Sequence, residues 1–144
     1  MYLIYEGLDK TGKGTLKMSV AHATHFQYVH IDRGPLGYML YDKIYNRESE
    51  KTLNRFIDDW NAIKKNSLVI YLTADFDTIQ DRIKYHNDEY LSKDLLEKEK
   101  EIYDEIIEEY CKDVPLIIVD TSKTSLEDCT KLVTDYIKEI EDKE

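Results

Sequence analysis

One stretch limits what this chain can fold into more than any other: Tyr2 to Thr15, YLIYEGLDKTGKGT. Tyr2 to Glu6 is short, aliphatic and aromatic, which suits a strand buried on both faces. The character then changes at once. Gly7 to Lys13 fits G-x-x-x-x-G-K, a loop whose backbone amides and lysine ammonium surround a polyphosphate, and residues from Gly14 to about Thr24 can continue as the helix such a loop requires. Glycine is needed where the backbone approaches the ligand closely and visits positive φ. The strict pattern has Ser or Thr after the lysine to hold magnesium. Here Gly14 stands in that place and the hydroxyl comes one step later, at Thr15. A glycine turn with a solvated lysine is the alternative reading.

With 144 residues the chain is expected to be a single domain, large enough for a real core. Thirty acidic residues against twenty basic ones give a net charge of -10, which disfavours nucleic acid or a membrane surface as partner, since both need a basic face. A local basic pocket for a small phosphate compound is compatible with that balance. Two cysteines, Cys111 and Cys129, make a disulfide framework implausible, so a reducing, cytoplasmic setting is the expectation. Apolar runs are only a few residues long and Met1 leads straight into a strand, so neither a membrane span nor a signal peptide is expected.

Along the chain, strands alternate with helices. Phe26 to Asp32 reads as a second strand ending on an acid, followed by Arg33, Gly34 and Pro35, with Pro35 in the first turn of a helix to about Asn46 that carries Tyr38, Tyr41 and Tyr45 on one face. A further helix, about Ser49 to Lys65, repeats Leu53, Phe56, Ile57, Trp60 and Ile63. Ser67 to Thr73 is a buried strand, and Asp75 or Asp77 caps a helix to about Tyr85. Tyr85 to Leu91 lacks periodicity and reads as a loop. Leu91, Leu95, Ile102, Tyr103, Ile106, Ile107 and Tyr110 mark one side of a long helix capped by Ser92, whose many acids read as a solvated face and not as a metal site. Pro115 to Thr121 is the last strand, and Thr124 with Glu127 reads as the capping box of a closing helix to about Ile140.

This order implies an α/β fold: a parallel sheet of about four strands in three layers, flanked by helices. Right-handed crossovers place the strand at Phe26 beside the first, on the side opposite the strand at Ser67. Ligands are then expected at the carboxyl edge, which collects Glu6 to Thr15, Asp32-Arg33, Thr73 and Asp120 to Ser122. Phosphoryl transfer needs a cation near the transferred group, a basic side chain for the developing charge, and an acceptor held in line. Asp32 is placed to hold magnesium and Arg33 to grip an acceptor phosphate. His22, His25 and His30 straddle a helix end and a strand without recognisable ligand spacing and read as ordinary packing or solvent-exposed residues.

Glu6-Gly7-Leu8-Asp9-Lys10-Thr11-Gly12-Lys13-Gly14-Thr15 resembles the first motif of thymidylate kinases, E-G-x-D-x-x-G-K-[ST]-T. Asp32-Arg33, with Tyr41 nine residues after the acid, resembles their D-R-x-x-S-x-x-A-Y-Q. Tyr71-Leu72 followed by Arg82-Ile83 is similar to their strand and lid helix, and Ile117 to Ser122 to their final strand and adenine-side turn. The Gly-Lys-Gly-Thr ending is similar to adenylate kinases. The resemblance implies a P-loop nucleoside monophosphate kinase that moves the γ-phosphate of ATP to a deoxynucleoside monophosphate such as dTMP, with Mg2+ held by Thr15 and Asp32. It implies Asp9, Lys10, Thr11, Gly12, Lys13, Gly14, Thr15, Arg82 and Thr121 around ATP, with Lys13, Arg33, Arg82 and Asp32 catalytic. Asp9, Arg33, Tyr38 and Tyr41 would meet the acceptor, and a homodimer is a compatible assembly.

Departures from the motifs keep alternatives open. Gly37, Leu40 and Asp42 replace the motif's serine, alanine and glutamine, and Tyr85 replaces a lid arginine. Only Leu16 to His25 separates the loop from the second strand, where thymidylate kinases hold a further strand and helices, so the acceptor pocket is expected to be open on one side. Asp88-Glu89-Tyr90 is similar to deoxynucleoside kinases. A nucleoside kinase, a kinase for a bulkier acceptor such as a nucleic acid end, and a non-catalytic nucleotide-binding module are therefore the other readings.

Overall fold

The computed structural model describes residues 1–85 and 92–144. Four parallel strands, β1 (Tyr2–Glu6), β2 (Val29–Asp32), β3 (Ser67–Thr73) and β4 (Leu116–Asp120), form one sheet in the order β2-β1-β3-β4. The crossovers are helical: α1 (Lys13–Ala23), α2 (Pro35–Ile44), α3 (Glu50–Ile63), α4 (Phe76–Tyr85) and α5 (Lys93–Tyr110), with α6 (Leu126–Asp142) closing the chain. Tyr2 sits level with Val29 on one side and Ser67 on the other, so the strands leave the sheet together and their carboxyl ends share one edge. The expected α/β architecture and strand order are those observed.

Alternation of side chains along the strands sorts the core into two halves. Ile4, Val69 and Tyr71 face α2 to α5, packing on Leu36, Leu40, Phe56, Trp60, Ile79, Leu96, Tyr103 and Ile106. Leu3, Tyr5, Leu68, Ile70, Leu72 and Val119 face α1 and α6, packing on Leu16, Val20, Cys129, Val133 and Ile137. Every residue of β3 but Thr73 is buried, whereas no residue of β2, one of the two edge strands, is.

Several boundaries differ from the sequence reading, each for a local reason. β2 begins at Val29 and not at Phe26, because His25 and Phe26 take left-handed φ of 55° and 57° to turn the chain out of α1. α6 is capped by Ser125, whose hydroxyl accepts the Asp128 amide at 3.1 Å, and not by the expected pair Thr124 and Glu127. Of the two acids proposed for α4, Asp75 caps, accepting the Thr78 amide at 2.8 Å. On α5, Ser92 caps as expected, but the core side chain of the first turn is Leu96, while Leu95 is exposed. On α3, Phe56 and Trp60 are buried and Leu53 and Ile57 are exposed. α2 turns Leu36, Met39 and Leu40 inward, leaving Tyr38 and Tyr45 exposed. Tyr85 ends α4; the rest of the expected loop to Leu91 lies outside the described residues. No helix among the described residues is long and apolar enough to cross a membrane.

Candidate active site

The loop between β1 and α1 is shaped by its glycines. Gly7 has φ 148° and lies so close to β3 that a Cβ there would stand 2.6 Å from the Leu72 carbonyl oxygen. Gly12 has φ 95° and is the N-cap of α1. Between them the Thr11 hydroxyl donates to the Leu8 carbonyl at 2.7 Å, and the Thr11 carbonyl accepts the Thr121 hydroxyl at 2.6 Å, which ties the loop to the turn after β4. Among the described residues, the amides of Gly12, Lys13, Gly14 and Thr15 have no backbone acceptor in the loop or helix turn. They open α1 at its positive end.

These residues line a cleft of about 520 Å³ with Lys10, Asp32, Arg82, Thr121, Thr124, Leu126 and Cys129. Lys13 folds back onto its own loop, its Nζ donating to the carbonyls of Gly7 at 2.8 Å and Leu8 at 2.7 Å. Burial, reinforced by the Arg33 charge, lowers its pKa from 10.5 to about 8, against the pull of Asp9, Asp32 and Glu6. Arg82 reaches from α4 to the loop: its guanidinium donates to the Lys10 carbonyl at 2.7 Å and to the Thr121 hydroxyl and carbonyl at 3.2 Å each. Its place is thus on the side of the cleft formed by the turn after β4, locked to the loop's backbone.

Asp32, at the end of β2, is the one carboxylate of the cleft wall among the described residues, and Lys17 approaches it to 3.8 Å. Asp32 and the Thr15 hydroxyl form an oxygen donor set of the kind that suits magnesium, which keeps several of its waters. The space around Gly14 is open, with nothing within 4 Å of a Cβ placed there, so the pattern's missing hydroxyl is not excluded by packing.

The next residue, Arg33, points away from this cleft. Its guanidinium donates to Asp9 Oδ1 at 2.7 Å and lies over the Tyr41 ring at 4.8 Å from the centroid. Glu99 of α5 faces the same group; burial, then the Asp9 charge, raises its pKa, and Arg33 opposes the rise. Burial, then Asp9, pushes the Tyr41 hydroxyl up to about 12. Donor-side and acceptor-side candidates therefore diverge at two adjacent residues, Asp32 and Arg33. Tyr38 stands apart, exposed on α2 and stacked with no member of the group.

Sequence reasoning missed Glu99 and a buried network around Glu6 and Tyr103. In the sequence Tyr103 is one member of an apolar stripe and Glu99 one acid on a solvated face, with no signal that separates them from their neighbours.

A strand, this loop, a helix and a parallel sheet of this order recur in known structures. The chain superposes on the YorR protein of Bacillus subtilis, crystallised in complex with phosphorylated GDP, with a TM-score of 0.77 at 21% identity, covering 100% of this chain and 99% of that one. The fold is that of the P-loop nucleotide kinases. Deoxyadenosine kinase from M. mycoides with bound dCTP shares this kinase fold with a TM-score of 0.68 at 16% identity, covering 96% of this chain and 100% of that one. Thymidylate kinase from Candida albicans shares it with a TM-score of 0.70 at 17% identity, covering 99% and 93%. No family model matches the sequence, and neither does any curated protein. At such low identity it is the kinase fold that is shared, and the chemistry rests on the residues described above.

Proposed function

We propose that the chain is a phosphotransferase that moves the γ-phosphoryl group of ATP to a deoxynucleoside monophosphate. The observation that carries this reading is the split at the end of β2: Asp32 faces the phosphate-loop cleft while Arg33, paired with Asp9 and stacked on Tyr41, faces the other side of the loop. One strand end thus serves two substrates meeting at the loop. The amides of Gly12 to Thr15 and the Lys13 ammonium hold the outer phosphates of the donor, with Lys13 exchanging its two carbonyl partners for phosphate oxygens. Lys10, Thr11, Arg82 and Thr121 keep the loop's shape from the donor side. Thr15 and Asp32 would hold Mg2+, which would supply positive charge that offsets charge on the phosphates. Arg33 grips the acceptor phosphate, and Asp9 fixes the direction of that guanidinium. An acceptor oxygen forms a bond to the γ-phosphorus as the bond to the β–γ bridging oxygen breaks, and ADP leaves. Lys13 and Arg33 take the charge that spreads over the oxygens.

A second acceptor class has a specific observation in its favour. Asp9 and Glu99 set two carboxylates against one guanidinium, which suits a neutral nucleoside better than a dianion. ATP consumption measured against a panel of deoxynucleosides and their monophosphates separates the two. Turnover is expected with a monophosphate, and Lys13→Ala is expected to lower it at least a hundredfold with the circular dichroism unchanged. Turnover only with nucleosides moves the assignment to the second class. ATP binding without any turnover reduces the protein to a nucleotide-binding module.

A further inference from the structure

The phosphotransferase reading gives no task to the most deeply buried charged group among the described residues. Glu6, the last residue of β1, is wholly shielded from solvent. Its Oε1 accepts the Gly34 amide and its Oε2 accepts the Tyr103 hydroxyl, which in turn accepts the Gly7 amide at 3.0 Å. Gly7 opens the phosphate loop, Gly34 follows Arg33 and caps α2, and Tyr103 belongs to α5. A single carboxylate therefore binds together the donor loop, the acceptor arginine's turn and the helix carrying Glu99.

Arg33 needs such a hold. It is a non-glycine residue in the left-handed region, φ 62°, a conformation that persists only where its surroundings over-determine it. Its own amide is fixed to the Tyr5 carbonyl at 2.9 Å, and the amide after it is fixed to Glu6. Its aliphatic stem occupies the space left by Gly37, where a Cβ would stand 2.4 Å from Arg33 Cγ and 3.1 Å from Glu6 Oε2. The absence of a side chain at position 37 and the acid at position 6 thus shape the same turn.

We propose that Glu6 is the positioning residue of the acceptor site: through Gly34 it holds Arg33 in the conformation that presents the guanidinium, and through Tyr103 it fixes that guanidinium relative to the phosphate loop. The proposal rests on the phosphotransferase reading above. A carboxylate does this better than an amide because its negative charge also attracts Lys13 and Arg33 across the loop. The groups facing it are Lys13 of α1, Arg33 after β2, Tyr71 of β3, Tyr103 of α5 and Cys111 just beyond α5. Burial disfavours the charged form and outweighs the Tyr103 and Gly34 hydrogen bonds and the two cations that favour it, which leaves the pKa of Glu6 raised to about 7. The grip on the acceptor accordingly strengthens as pH rises through neutrality.

Titration calorimetry of dTMP into the whole protein, from about pH 6 to about pH 8, tests this with Glu6→Gln and Tyr103→Phe beside the wild type. Wild-type affinity is expected to rise across pH 7 relative to Glu6→Gln, a comparison that cancels the titration of the ligand's own phosphate. Above pH 7, Glu6→Gln is expected to bind dTMP about tenfold more weakly while its affinity for a non-hydrolysable ATP analogue changes less than about twofold. Tyr103→Phe removes a hydrogen bond that favours the charged form, so the rise should move to higher pH; this variant keeps the ring's packing and carries the test if Glu6→Gln does not fold. Identical pH profiles in all three proteins, equal loss of both ligands, or a wild type that binds no dTMP overturns the proposal. A wild type that binds dTMP with the expected profile yet transfers no phosphate overturns the kinase reading alone.

Discussion

Gly7 and Gly14 flank the same loop and answer oppositely to substitution. Gly7→Ala forces a Cβ against the Leu72 carbonyl at positive φ and is expected to cost about 2 kcal/mol or more in a denaturant titration. Gly14→Ser meets open space in the first turn of α1, should leave stability within about 0.5 kcal/mol, and should lower the magnesium concentration needed for tight ATP binding. Glu6 makes a prediction about pH. Its folded pKa of about 7 lies above its ordinary value of 4.5, so its contribution to stability is complete below about pH 4.5 and is lost as pH rises through 7, a change of about 3 kcal/mol. His30, whose pKa burial lowers, tilts the curve the other way, so the readout is the difference between wild type and Glu6→Gln; parallel curves would contradict the assignment. The glycines were legible in the sequence because positive φ and close approach leave one residue type that fits. The environment of Glu6 was not, since its hydroxyl partner lies 97 residues away.

At the scale of elements, α1 is the part whose chemistry depends most on the ligand. A triphosphate brings negative charge to Lys13 and should restore its pKa from about 8 toward the ordinary lysine value. Nucleotide binding above pH 8 is therefore expected to take up a proton, and affinity to fall as pH rises, while Lys13→Arg should abolish the uptake. Calorimetry in buffers of different ionisation enthalpy reads this directly, and binding without proton exchange in the wild type would contradict it. α6 offers a structural check: Ser125→Ala should cost about 1 kcal/mol and Thr124→Ala less than about 0.5 kcal/mol, because the hydroxyl that accepts the Asp128 amide belongs to Ser125. Both residues suit a cap chemically, so the sequence could not separate them. On α5 the helix and its cap were legible, but not which leucine of Leu95-Leu96 turns inward, because that is decided by how α5 packs on α2 and α4. The strands at Tyr2 and Ser67 were legible for the opposite reason: unbroken apolar runs of that length have few other places to go.

For the molecule as a whole, the right-handed crossover rule was enough to place β2 outside β1, and with it both halves of the site on one edge. What the rule could not foresee is that Asp32 and Arg33 would face apart, which follows from the left-handed backbone at Arg33. ATP at about a hundredfold above its dissociation constant is expected to stabilise the protein by about 2.7 kcal/mol, read as a rise in melting temperature, and Lys13→Ala should remove most of it. An unchanged melting temperature at saturating ATP would sink the donor site. Arg33 follows a four-residue strand on one rim of the sheet, whereas the glycine loop springs from β1, which is paired on both sides. Rims fray before centres. On the function proposed above, warming should loosen the grip of Arg33 on an acceptor before that of the glycine loop on ATP, so phosphate transfer should fail at a temperature below the melting point.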